Sequence, residues 1–110
     1  MKLSTDYNYS PIPPELEKLK SDIDGEGIFV TDNFSKLNNI ITHVVVRSLG
    51  LVSRTPVGGY LNHSENPNCT LIMSDGNYDV EIYCIKLLRD VVKGEELTLD
   101  YEIEIKKLGI

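Results

Sequence analysis

The chain has 110 residues, 41% of them hydrophobic and 25% charged, a length and balance suited to one globular domain with a modest core. Seventeen acidic residues against eleven basic ones leave a formal charge of −6, which argues against binding to a nucleic-acid backbone and suits a basic partner. With two cysteines, no leader-like apolar segment after Met1 and no run approaching the roughly 20 apolar residues of a membrane helix, the reading is cytoplasmic or nuclear, not secreted and not membrane-bound.

Residues 1–14 carry Tyr7, Tyr9 and prolines at 11, 13 and 14, and read as an extended arm lying over the domain or as a poorly ordered end. Leu16 and Leu19, three apart behind Pro14, predict a short helix turn over Glu15–Lys20, so residues 1–21 form an N-terminal arm and 22–110 the domain proper. Gly25-Glu26-Gly27 then stands before Ile28-Phe29. Two glycines so spaced allow a β-turn or a close backbone approach to a ligand. Ile40–Arg47 is β-branched enough for a buried strand, and His43 inside it is assigned no ligand role. Ser48–Val57 reads as connection.

Gly58–Cys69, GGYLNHSENPNC, gathers turn formers and short polar side chains, a composition for a fixed loop. Cys69–Met73 is a short strand, Ser74–Asn77 a turn centred on Asp-Gly, and Tyr78–Lys86 a second strand, together a hairpin with Cys84 as a small core residue. Leu88–Gly94 turns the chain and Glu95–Tyr101 supplies a last short strand. Helical periodicity is scarce, so the fold class is mostly β.

Two blocks carry a resemblance. Asn62-His63-Ser64 with Pro67-Asn68 resembles the NHS-x-x-PN motif of the SET-domain protein lysine methyltransferases, and Gly94–Tyr101 (GEELTLDY) resembles their closing motif. The resemblance implies a SET-domain, β-clip-like fold in which the two blocks form a knot-like C-terminal threading. It implies transfer of a methyl group from S-adenosylmethionine to a lysine of a basic protein or peptide. Asn62 and His63 would then bind the cofactor, Gly25, Glu26 and Gly27 would face it, and Tyr60 would pack against it or line the lysine channel. Tyr101 would be the catalytic tyrosine. Asn66 to Asn68, Glu96 and Asp100 read as structural hydrogen-bonding residues.

The chain departs from the family pattern in two places. The insert before the NHS block is short, and no cysteine-rich, zinc-binding tail follows Tyr101. Cys69, Cys84, His43 and His63 lack zinc-finger spacing, so no metal is expected. The wall such a tail provides must come from the short C-terminal segment, the N-terminal arm or a second subunit, which would make a homodimer. The alternative reading is a catalytically inactive SET-like binding module.

Overall fold

The computed structural model describes residues 12–38, 42–48, 51–76 and 80–109. In chain order the elements are β1 (Leu16–Lys20), β2 (Glu26–Val30), β3 (His43–Ser48), β4 (Leu51–Arg54) and α1 (Pro56–Tyr60). They continue with β5 (Asn62–His63), β6 (Cys69–Gly76), β7 (Val80–Leu87), β8 (Glu96–Leu99) and α2 (Tyr101–Leu108). The strands make two sheets of four, ordered β1-β2-β8-β5 and β4-β3-β7-β6. The mostly-β expectation holds. Tyr7, Tyr9 and the rest of the arm up to residue 11 lie outside the described residues.

The predicted helix turn at Glu15–Lys20 is corrected to strand β1. Its backbone pairs antiparallel with β2 from Leu16↔Val30 to Lys20↔Glu26. In isolation a six-residue helix is unfavourable, because nucleation costs more than so few bonds return, whereas β2 offers this segment a ladder of backbone partners. Only Leu16 is buried in β1, and Leu19 faces solvent, so the spacing of the two leucines marks no shared apolar face.

Ser48–Val57, read as connection, contains the edge strand β4 and the start of α1. Thr55 caps α1 by accepting from the Gly58 N–H at 3.3 Å, and Pro56 occupies the first turn, where its missing N–H costs nothing. Gly58 lets α1 lie directly on β3, since a Cβ there would stand 2.2 Å from the Val44 carbonyl oxygen. The stretch read as one fixed loop is therefore a helical turn, a two-residue strand and only then a loop.

The hairpin is β6–β7, antiparallel from Cys69↔Leu87 to Gly76↔Glu81. Asp75 and Gly76 pair with Ile82 and Glu81, so Asp75-Gly76 belongs to the strand instead of centring a turn. Cys84 is 3% exposed, as expected of a core residue, and Cys69 is fully buried with its thiol pushed up to about 12, chiefly by burial. Both are free thiols. Ile28, Val30, Val44, Ile85, Leu87 and Leu97 fill the core, which draws on both sheets.

The last strand ends before Tyr101, and the tail is the helix α2. Asp100 accepts from the Glu102 N–H at 3.0 Å as N-cap, and Gly109 closes the helix in the left-handed region at φ 73°. Acidic residues in the first turn and lysines in the last suit the helix dipole. Arg47 fastens the far end by donating to the Leu108 carbonyl at 2.5 Å. No helix among the described residues is long and apolar enough to cross a membrane.

Candidate active site

β5 runs parallel to β8, pairing Asn62 with Thr98 and His63 with Leu99, and Ser64 N–H donates to the Leu99 carbonyl at 2.9 Å. β8 also pairs with β2 through Ile28↔Leu97 and Phe29↔Glu96. Three segments far apart in the chain thus meet at one end of the first sheet: the double-glycine turn, the Asn-His strand and the segment ending in Tyr101.

The meeting point is a polar cradle. Asn62 Nδ2 donates toward Glu96 Oε2 at 2.8 Å, Ser21 Oγ at 3.0 Å, the Asp24 carbonyl at 3.1 Å and the Glu26 carbonyl at 3.3 Å. Ser21 Oγ donates to the Glu96 carboxylate at 2.7 Å and accepts from the Ile23 N–H at 2.9 Å. Gly25 makes the turn at φ 45°, and Gly27 is buried beneath Glu96. A Cβ on Gly27 would stand 2.1 Å from Glu96 Oε2 and 3.2 Å from Asn62 Nδ2, so the residue leaves room for the cradle's own side chains.

Gly27→Ala is expected to keep the fold, because the atom in the way ends a movable side chain, at a cost of about 1–3 kcal/mol for overpacking. It should also push Glu96 off Asn62. A thermal melt beside a ligand titration checks both parts, and wild-type behaviour in the titration would show that the cradle tolerates the displacement.

His63 and Tyr101 form a second pair. The Tyr101 backbone N–H donates to His63 Nδ1 at 3.0 Å, which leaves the ring proton on Nε2, and the two rings lie 5.1 Å apart at 53°. The Tyr101 hydroxyl donates to the Leu61 carbonyl. Burial raises the Tyr101 pKa, Arg54 opposes the rise and Asp24 reinforces it, so the phenol is neutral at physiological pH.

Tyr60 stands apart from this pair. Its ring is 37% exposed and carries the Lys18 ammonium 4.6 Å from its centroid, while Lys18 also reaches the Glu26 carboxylate at 3.8 Å. Glu26 thus contributes its backbone carbonyl to the cradle and its carboxylate to this surface cluster.

Beside Tyr101 opens a cavity of about 370 Å³. Val44, Leu61, Leu71 and Leu99 give it apolar walls, and Ile105 and Leu108 of α2 close one side. Arg54 and Glu104 add the charges. Glu104 is 5% exposed and accepts from Thr70 Oγ1 at 2.6 Å and the Leu71 N–H at 3.2 Å, with Lys107 Nζ at 3.1 Å. Ser21, Arg54 and Glu104 escaped the sequence reading. Ser21, just ahead of the double-glycine turn, carried a weak signal as a turn-capping hydroxyl, whereas Glu104 carried none.

A parallel crossing of an Asn-His strand and a tyrosine-bearing segment, with a polar cradle at the double-glycine turn and a largely apolar cavity beside Tyr101, defines a small β-rich domain. The SET domain family model matches residues 11–102, and the chain belongs to this family. The histone-lysine N-methyltransferase, H3 lysine-4 specific, of Emericella nidulans is 42% identical over 59 residues, covering 49% of this chain and 5% of that protein. The one from Chaetomium globosum is 41% identical over 64 residues, 54% of this chain and 6% of its own. The Drosophila melanogaster histone-lysine N-methyltransferase trr is 41% identical over 59 residues, 51% and 2%. The matched segment is a small part of these relatives' length. In fold the chain is similar to a Plasmodium falciparum protein of known structure, provisionally described as a histone methyltransferase, with a TM-score of 0.64, 20% identity, and coverage of 82% of this chain and 95% of that one.

Proposed function

We propose that this protein transfers a methyl group from S-adenosylmethionine to a lysine side chain of a basic protein or peptide, acting in the cytoplasm or nucleus. The observation that carries the reading is the position of Tyr101. Its hydroxyl meets the Leu61 carbonyl at the cavity wall, and the next residue after Leu61 is Asn62 of the polar cradle. A donor held at the cradle and an acceptor entering through the cavity would meet there.

The residues fit the cofactor. The cradle offers polar contacts to its adenine and amino-acid ends, and neither a metal nor an activated nucleophile is called for. When bound, S-adenosylmethionine supplies an electrophilic methyl group on a sulfonium. The chain's share is positioning: apolar walls hold the alkyl stem of a lysine and favour its neutral amine, because burial disfavours the ammonium. The Tyr101 and Leu61 oxygens accept polarised C–H and N–H groups as positive charge moves from one ligand to the other. His63 holds the start of α2 through Tyr101 N–H and so fixes where the phenol stands.

Calorimetric titration of S-adenosylmethionine into the wild type and Asn62→Ala tests this. Binding is expected in the wild type and a loss of roughly tenfold or more in the variant, the scale of a hydrogen bond to a charged group. No binding in the wild type would overturn the cofactor assignment. The acidic surface, at a formal charge of −6, favours basic acceptors, which a screen of lysine peptides of both charge signs would reveal.

A further inference from the structure

The amide of Asn62 is surrounded on one side by oxygens that cannot donate. The Asp24 and Glu26 carbonyls and the Glu96 carboxylate all lie within 3.3 Å of the same terminal atom, and that atom must therefore be the nitrogen. Its two N–H groups are shared among four acceptors, with the Glu96 carboxylate the nearest at 2.8 Å. The carbonyl oxygen Oδ1 is left facing away from this wall, with no partner among the described residues. Ser21 holds the Glu96 carboxylate in place from the other side, at 2.7 and 2.9 Å to its two oxygens.

Glu96 is well suited to be the deciding member of this wall. The two carbonyls belong to backbone that any sequence would supply, whereas a carboxylate is acceptor-only and forms the stronger, charge-assisted bond. Room for it is made by the missing side chain at Gly27. Glu96 comes from β8, so the carboxylate nearest the Asn62 amide is carried by the strand that leads to Tyr101.

We propose that Glu96 is a positioning residue that turns Asn62 so that only its oxygen is offered to a ligand, and that this site therefore selects a ligand carrying an N–H donor. The inference rests on the cofactor assignment above, whose ligand has two such groups, an adenine amine and an α-ammonium. It adds which atom of Asn62 does the selecting and which residue controls it.

The test separates the orientation from the ligand. Without any ligand, the Asn62 side-chain amide protons are expected to be protected from solvent exchange in nuclear magnetic resonance spectra of the wild type. Fast exchange there would overturn the proposal whatever binds. With ligand, S-adenosylhomocysteine is titrated beside its deamino analogue and its inosine analogue, which lacks the adenine amine. The wild type is expected to disfavour one of the two analogues by roughly tenfold, the scale of a charge-assisted hydrogen bond, and which one names the donor. Glu96→Ala should bind the parent compound less tightly and bring the ratio to within about twofold.

Glu96→Gln serves if the alanine variant does not fold. It keeps the volume but replaces one acceptor with a donor, and should lower the ratio by about threefold. Undiminished discrimination in a folded Glu96 variant would overturn the proposal. A wild type with protected Asn62 protons and no affinity for S-adenosylhomocysteine would overturn the ligand and the cofactor assignment while leaving the orientation established.

Discussion

Tyr101→Phe is expected to lower methyl transfer to a basic peptide by about 10²–10³-fold, the usual consequence of removing one preorganised polar group from the place where charge develops. Folding and cofactor binding should change little. The variant loses the hydroxyl's bond to the Leu61 carbonyl, a contribution of about 1 kcal/mol, and keeps the ring packed 5.1 Å from His63. The phenol acts as a neutral group: its pKa lies above the ordinary value because burial disfavours the phenolate, so it keeps its proton at neutral pH and donates a hydrogen bond to the Leu61 carbonyl. Its lone pairs remain for the ligands. Single-turnover transfer of a labelled methyl group, run beside a thermal melt and a cofactor titration, checks all three statements. Equal transfer by variant and wild type would make Tyr101 a packing residue; no transfer by either would favour the inactive binding module.

The largest expected loss of stability from a motif residue is at Asn68. Its side chain is 2% exposed and stitches the start of β6 to β8, donating to the Glu96 carbonyl at 2.7 Å and accepting from the Thr98 N–H at 2.9 Å. Asn68→Ala leaves that donor and that acceptor buried without partners, at about 1–3 kcal/mol each. The sum is a large share of the roughly 5–15 kcal/mol that holds a domain together. Asn66→Ala, two residues earlier in an exposed position, should change stability by less than about 0.5 kcal/mol. Urea midpoints of the two variants make the comparison. A small effect at Asn68 would mean that β6 and β8 are held together chiefly by apolar packing.

The contrast between these two asparagines shows how far the motif could be read. Asn-His-Ser and Pro-Asn marked the stretch as special, and Asn62 and His63 do converge with the double-glycine turn and Tyr101. What each side chain does there was out of reach. His63 spends Nδ1 on the backbone of Tyr101. Gly27 serves Glu96 and Asn62, a use that the turn's spacing alone does not distinguish from close approach to a ligand. Tyr60 faces Lys18 at the surface.

Other features failed to show for identifiable reasons. α2 carries an N-cap, a dipole-matched charge pattern and a terminal glycine, all legible signals. Its buried face, however, includes Glu104, while Ile103 and Ile105 are half exposed, so the apolar periodicity that announces a helix is scrambled. The charge is tolerated because Thr70, the Leu71 N–H and Lys107 meet it. β1 is a strand because β2 lies beside it, whatever the spacing of its leucines suggests. α2 also walls the cavity, since Ile105 and Leu108 close one side.

The mostly-β class, the hairpin of β6 and β7, the family, and the small set of residues at which chemistry was to be sought could all be read along the chain. Those conclusions rest on local quantities: side-chain alternation, turn formers, and short motifs whose spacing is written in the chain. It took the folded arrangement to show that the Asn62 amide nitrogen meets Glu96 and Ser21, and that Ile105 and Leu108 of α2 line the cavity. Each depends on contacts between distant segments, as with Ser21 and Glu96, 75 residues apart, and Asn62 and Glu96, 34 apart. A hydrogen bond's direction is settled by what surrounds both partners, and no window along the chain contains those surroundings.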